Sequence, residues 1–144
     1  MNERTAFRPV DRETAGTLSA EEAIQYHYDN ETRFFSLFLD ETLCYSAARF
    51  HVPNKAEPAL DNLYDAQWAK IRFRLDALQL KPGARILDVG CGWGAVLAAA
   101  VTEYEGRGAL GLTLSKDQRD HIEARNLKGV EVRLADVYEA ELDG

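Results

Sequence analysis

The segment ILDVGCGWGAVLAA, Ile86 to Ala99, decides the fold. An apolar run, Ile86 to Val89, meets three alternating glycines, Gly90, Gly92 and Gly94, and then an alanine-rich stretch. That order predicts a short strand, a tight turn and a helix. Glycine reaches backbone conformations closed to other residues and leaves the main chain bare. Gly90 permits the sharp turn, Gly92 removes a Cβ so that a ligand can touch the main chain, and Gly94 opens the helix and lets it sit close to the strand. The first N–H groups of that helix have no partner within it and face the same place. A ligand of nucleoside type, held at close range, is the expected occupant.

Working outward, the pattern on the C-terminal side repeats. GALGLTL (108–114) reads as a second strand, and SKDQRDHIEARNL (115–127) as a polar helix with Ser115 as its cap and Ile122 facing inward. VEVRLAD (130–136) alternates Val130, Val132 and Leu134 as a third strand. Strand, helix, strand, helix, strand implies parallel pairing through right-handed crossovers, one half of a doubly wound sheet. On the N-terminal side, Leu60, Leu63, Tyr64, Trp68, Ile71, Leu75 and Leu78 recur at helical spacing until Pro82 and Gly83 break the pattern. Before them, TRFFSLFLD (32–40) predicts a helix capped at Thr32 with Phe34, Leu37 and Phe38 on one face. A capping box at Ser19 and Glu22 marks an earlier helix.

In an open parallel sheet, ligands bind beyond the carboxyl ends of the strands. The glycine spacing there is G-x-G-x-G. The dinucleotide fingerprint is G-x-G-x-x-G, with an acid about 20 residues on. This chain has Ala95 at the last fingerprint position, and its second strand ends in Leu112, Thr113 and Leu114 without an acid. A nicotinamide enzyme is therefore disfavoured, and no Gly-Lys-Ser/Thr follows to make a P-loop. Asp88 can hold the N–H groups of the turn or, through water, a cationic ligand. Asp136, at the end of the third strand, can accept from an adenine amino group or can be an ordinary solvated strand-end acid.

Lys and Arg number 17 against 24 Asp and Glu, for a formal charge of -7, which makes nucleic acid a poor partner. No apolar run approaches the ~20 residues of a membrane helix, and the charged start has no secretory apolar core. The two cysteines, Cys44 and Cys91, form no disulfide framework, so a reducing cytoplasm is expected. His27, His51 and His121 have no metal-ligand spacing, and no metal is expected. Cys91 reads as a small filler and His121 as solvated, whereas Trp93, a large aromatic in a glycine turn, should pack over something.

DVGCGWGA (88–95) followed by GLTLSKDQ (111–118) resembles class I S-adenosylmethionine-dependent methyltransferases, and among them the cyclopropane-fatty-acid synthase and mycolic-acid methyltransferase family. HYDNETRFFSLFLDETLCYSAARF (27–50) is similar to that family's N-terminal segment. The likeness runs from roughly Ala23 to Val137. It implies a Rossmann-like α/β class I methyltransferase fold with S-adenosylmethionine as cofactor. Gly90, Gly92 and Gly94 would line its methionine and ribose portion, with Asp88 beside them. Tyr45 and Ser46 would close over the methionine end. Thr113 and Gln118 would take the ribose in place of the usual acid, and Asp136 would flank the adenine.

The implied activity is methyl transfer to an apolar lipid or alkene-bearing acceptor, by C-methylation or cyclopropanation-type chemistry. The family's cysteine after Tyr-Ser is Ala47 here and its later tyrosine is Arg49, which favours plain C-methylation over bicarbonate-dependent cyclopropanation. The alternatives are a small-molecule natural-product methyltransferase and, from another class, a non-catalytic cofactor-binding subunit of a split enzyme. The expected organisation is a mobile arm over 1–18, a helical covering segment over 19–57, and the first half of the cofactor-binding domain over 58–144. The fold is expected to be incomplete, with N-terminal helices and about three parallel strands. The first strand would then have an open edge, an apolar liability, to be covered by self-association or a companion chain.

Overall fold

The computed structural model describes residues 32–50 and 60–141. The elements in chain order are α1 (Thr32–Phe35), α2 (Leu63–Ala77), β1 (Arg85–Val89), α3 (Ala95–Thr102), β2 (Gly108–Thr113), α4 (Lys116–Ala124) and β3 (Val130–Leu134). The expected arm over 1–18, the helix beginning at Ser19, His27 and His51 lie outside the described residues.

The three strands form one parallel sheet in the order β1-β2-β3. Arg85 pairs with Gly108 and Val89 with Leu112; Ala109 pairs with Val130 and Thr113 with Leu134. Since side chains alternate across a strand, this register aligns Ile86, Ala109 and Val130 on one face. Helices α3 and α4 cover that face. Leu97 and Ile122 pack there against Ala109, Val132 and Cys91. Ala95, Ala99 and Ala100 of α3 are buried against Ile71 and Leu75 of α2, which close the outer side of the same helix. Burying a side chain of that size contributes about 1.5–3 kcal/mol.

The Ser115 cap holds as expected, whereas Thr32 is the first residue of α1 rather than its cap. Ser115 Oγ accepts from the Gln118 N–H and starts α4. Asn62 Oδ1 accepts from the Asp65 N–H at 2.8 Å and starts α2, one turn later than the apolar periodicity begins at Leu60. Gly94 stands at the N-cap of α3 with φ of 79°. A Cβ on Gly94 would lie 2.9 Å from Ile122 Cγ1. The close neighbour that this glycine admits is therefore helix α4, not the strand expected from the sequence.

Two expectations change. α1 is a single turn, and the side chain it buries is Phe35, at 3% exposure, while Leu37 is 78% exposed and Phe34 and Phe38 stand out as well. The face Phe34, Leu37 and Phe38 presupposes a helix continuing to Phe38; the helix ends at Phe35, and Phe35 finds Trp93 instead. His121 is half-buried rather than solvated; burial and then Arg125 push its pKa down, against Asp117.

Strand β1 pairs with β2 alone among the described residues. Leu87 and Val89, on its face away from α3, are 45% and 51% exposed.

Candidate cofactor-binding site

A cavity of about 390 Å³ opens beyond the carboxyl ends of β1 and β2. Its floor is the glycine turn. The Gly90 and Cys91 N–H groups both donate to the Leu112 carbonyl, at 2.9 and 3.0 Å, which ties the turn to β2. The turn is thus held by backbone, and the Asp88 carboxylate is not used for it. Gly90 and Gly92 have φ of 72° and 55°, and a Cβ on either would meet nothing within 4 Å. Both line the cavity. Their missing side chains keep main chain open to whatever lies there.

Asp88 lines the same wall. Burial raises its pKa above the usual carboxylate range, and the Arg74 charge partly opposes this. A half-buried carboxylate in such a place favours a cationic neighbour.

On the β2 side, Thr113 and Gln118 are buried and meet each other. The Thr113 hydroxyl donates to Gln118 Oε1 at 2.7 Å and accepts from the Ser115 N–H at 3.1 Å. The hydroxyl is thereby occupied at both ends. Its task in this arrangement is to fix the amide of Gln118, whose oxygen is used and whose NH₂ is left to donate.

The opposite wall comes from residues 42–46. Tyr45 and Ser46 line the cavity, with Thr42 and Cys44. The Tyr45 ring meets Phe35 edge-on at 5.5 Å. Helix α2 fixes this wall from behind. Gln67 Nε2 donates to the Cys44 carbonyl at 2.9 Å and the Ser46 carbonyl at 3.1 Å, and Lys70 Nζ donates to Ser46 Oγ at 3.0 Å. Lys70 is 6% exposed. Burial lowers its pKa, with the neighbouring Cys44 opposing and Arg74 adding to the fall. The sequence reading passed over Lys70 and Arg74. The available signal was Lys70's position directly before Ile71, on the inward side of α2, where a cation must find partners.

The structure brings Tyr45, Ser46, Asp88, Gly90, Gly92, Thr113 and Gln118 to one cavity. Two other expected residues stand outside its lining. Gly94 serves the packing of α3 on Ile122. Asp136 Oδ1 accepts from the Tyr138 N–H at 2.9 Å, so its carboxylate caps its own turn. Ala47 and Arg49, the departures from the family pattern, also lie off the cavity; Arg49 stacks on the Phe73 ring at 3.8 Å. Among the described residues no group of His, Cys, Asp or Glu could hold a metal ion.

A parallel β-α-β-α-β unit, with a glycine turn after β1 and a cavity over it, defines the first half of the class I methyltransferase fold. The chain belongs to the mycolic acid cyclopropane synthetase family, which residues 16–141 match. It is 44% identical over 103 residues to cyclopropane mycolic acid synthase 2 of Mycobacterium bovis, covering 72% of this chain and 32% of that protein. It is 42% identical over 120 residues to hydroxymycolate synthase MmaA4 of Mycobacterium tuberculosis, covering 83% of this chain and 37% of that one. The crystal structure of mycolic acid cyclopropane synthase CmaA1 complexed with SAH and CTAB superposes with a TM-score of 0.74. It is 39% identical, over 85% of this chain and 42% of that chain. The chain thus spans about a third of the length of the curated relatives it matches.

Proposed function

We propose that the cavity holds S-adenosylmethionine and that the chain is the cofactor-binding part of a methyltransferase acting on an apolar, lipid or alkene-bearing acceptor. The observation that carries this is the bare floor at Gly90 and Gly92, facing the fixed amide of Gln118 across one cavity. When bound, S-adenosylmethionine supplies an electrophilic sulfonium methyl group. Asp88 would favour the positive charges of the ligand's amino acid end. The Gln118 NH₂ would donate to a ribose hydroxyl, with Thr113 holding it in place. Tyr45 and Ser46 would cover the methionine end, and Asp136 would act near the adenine only if it left its turn. The relatives' names, cyclopropane mycolic acid synthase and hydroxymycolate synthase, support a lipid acceptor.

The residues of the cavity contribute alignment and exclusion of water more than activation of a nucleophile. Transfer to an alkene carbon also requires that a proton be removed afterwards. Both cysteines are free thiols, which fits a reducing, cytoplasmic setting, and no described helix is long and apolar enough to cross a membrane. The edge of β1, with Leu87 and Val89 beside it, is the place for a companion polypeptide or a second copy.

Calorimetric titration with S-adenosylhomocysteine tests the site. The wild-type chain should bind, and Gln118→Ala should bind more weakly by about 0.5–1.5 kcal/mol, the worth of one hydrogen bond. Unchanged affinity in Gln118→Ala would remove the ribose assignment. Binding without methyl transfer to any apolar alkene would favour a non-catalytic binding subunit.

A further inference from the structure

The wall over the cavity is fastened at its far end by a contact that no local pattern accounts for. Thr32, at the start of α1, is 85 residues from Asp117 and 61 from Trp93. Its backbone N–H donates to Asp117 Oδ2 at 2.9 Å, and its hydroxyl donates to the same oxygen at 2.5 Å. Trp93 Nε1 donates to the Thr32 hydroxyl at 2.9 Å. The hydroxyl therefore accepts once and donates once, and one carboxylate oxygen gathers the chain. Phe35, one turn on, lies over the Trp93 ring with centroids 4.7 Å apart.

Each partner belongs to a different wall. Trp93 is in the glycine turn between Gly92 and Gly94. Asp117 is in the first turn of α4, next to Gln118. Thr32 and Phe35 begin the segment that continues to Tyr45 and Ser46. The negative charge of Asp117 is well placed at the N-terminus of α4 and accepts charge-assisted hydrogen bonds there. The floor, the Gln118 wall and the covering wall are thus joined at one carboxylate.

We infer that Asp117, Thr32 and Trp93 form a latch that sets residues 32–46 over the ligand cavity, with Asp117 as a positioning residue that touches no ligand itself. The inference rests on the cofactor reading above for its consequence and on the geometry alone for its existence. Because the latch and a ligand in the cavity require the same arrangement of walls, each strengthens the other by the same factor. Occupation of the cavity slows opening of 32–46, and breaking the latch weakens binding.

The test compares Asp117→Ala, Asp117→Asn, Thr32→Val and Thr32→Ser in the full chain. It reads S-adenosylhomocysteine affinity by calorimetry and amide exchange by mass spectrometry. Asp117→Ala and Thr32→Val should each lower affinity about tenfold, equivalent to about 1.4 kcal/mol. Both should speed exchange across residues 33–46 while β2 stays protected. Asp117→Asn keeps an oxygen that can accept both bonds, and Thr32→Ser keeps the hydroxyl, so these two should recover most of the affinity and protection. Asp117→Ala or Thr32→Val with wild-type exchange over 33–46 would overturn the latch. Asp117→Asn as damaging as Asp117→Ala, or loss of protection extending through β2, would do the same, since either marks general structural damage. A wild-type chain that fails to bind S-adenosylhomocysteine would overturn the cofactor reading instead, and exchange over 33–46 would still decide the latch.

Discussion

Gly111 sits in the middle of β2, and its replacement by alanine is the sharpest test of the packing that shapes the cavity floor. A Cβ there would lie 2.6 Å from Leu97 Cδ1, 2.7 Å from Cys91 Sγ and 3.1 Å from Cys91 Cβ. Carbon atoms in good contact stand about 3.5–4.0 Å apart, so Leu97 and Cys91 must both retreat by about an ångström. Neither has room, because both are buried on the inner face of the sheet. Overpacking of this kind costs about 1–3 kcal/mol. The reduced freedom of the unfolded chain returns about 0.4–1 kcal/mol. Gly111→Ala should therefore be destabilised by about 1–2 kcal/mol, seen as a lower urea midpoint with unchanged slope. Cys91 carries the strain into the glycine turn, so cofactor affinity should fall as well. Adding Cys91→Ala removes the sulfur and should recover about 0.5–1 kcal/mol as a coupling between neighbours. A Gly111→Ala protein as stable as wild type, or a double variant in which the two effects simply add, would refute the packing argument.

Other consequences follow from the same geometry. Gly92→Val places a branched side chain over the cavity at a φ of 55°, so cofactor affinity should drop far more than the backbone strain alone lowers stability; equal calorimetric affinity for both proteins would move the site elsewhere. Burial pushes the Cys91 thiol up to about 12, leaving almost no thiolate at pH 8. Iodoacetamide should then spare Cys91 in the folded protein and label it only after denaturation, as read by peptide mass spectrometry. The raised pKa of Asp88 means that the folded state resists its charged form. Its penalty is present above the folded pKa and disappears as pH falls below the unfolded value. Asp88→Asn should thus unfold at higher urea than wild type at pH 7, with the gap closing below the usual carboxylate range; a gap constant with pH would contradict this. Finally, the edge of β1, unpaired among the described residues, predicts association at micromolar concentration in sedimentation experiments. A compact monomer with every amide of Arg85–Val89 strongly protected would show that another segment of the chain covers it.

The elements whose causes are local can be read from the residues alone. Ser115 caps α4 because its hydroxyl reaches an N–H three residues on, and Arg85–Val89 is a strand because an apolar run meets a glycine turn. The order of these elements then dictates a parallel sheet, and the sheet dictates where a ligand lies. Gly90 and Gly92 were legible as candidate site residues from that order, whereas Tyr45, Ser46 and Gln118 came from the resemblance to the family; all five line one cavity. What the tertiary structure alone decided is how polar atoms far apart in the chain share their partners. Thr113 is spent on Gln118 and Ser115, Asp136 turns back on Tyr138, and Gly94 yields to Ile122. Phe35 rather than Phe34 is buried because Trp93 lies on its side. A side chain's periodicity reports which face of its own element it occupies. It carries no record of which distant donor or ring meets that face, and at Thr32, Lys70 and Asp117 it is that meeting across the fold that gives the side chain its role.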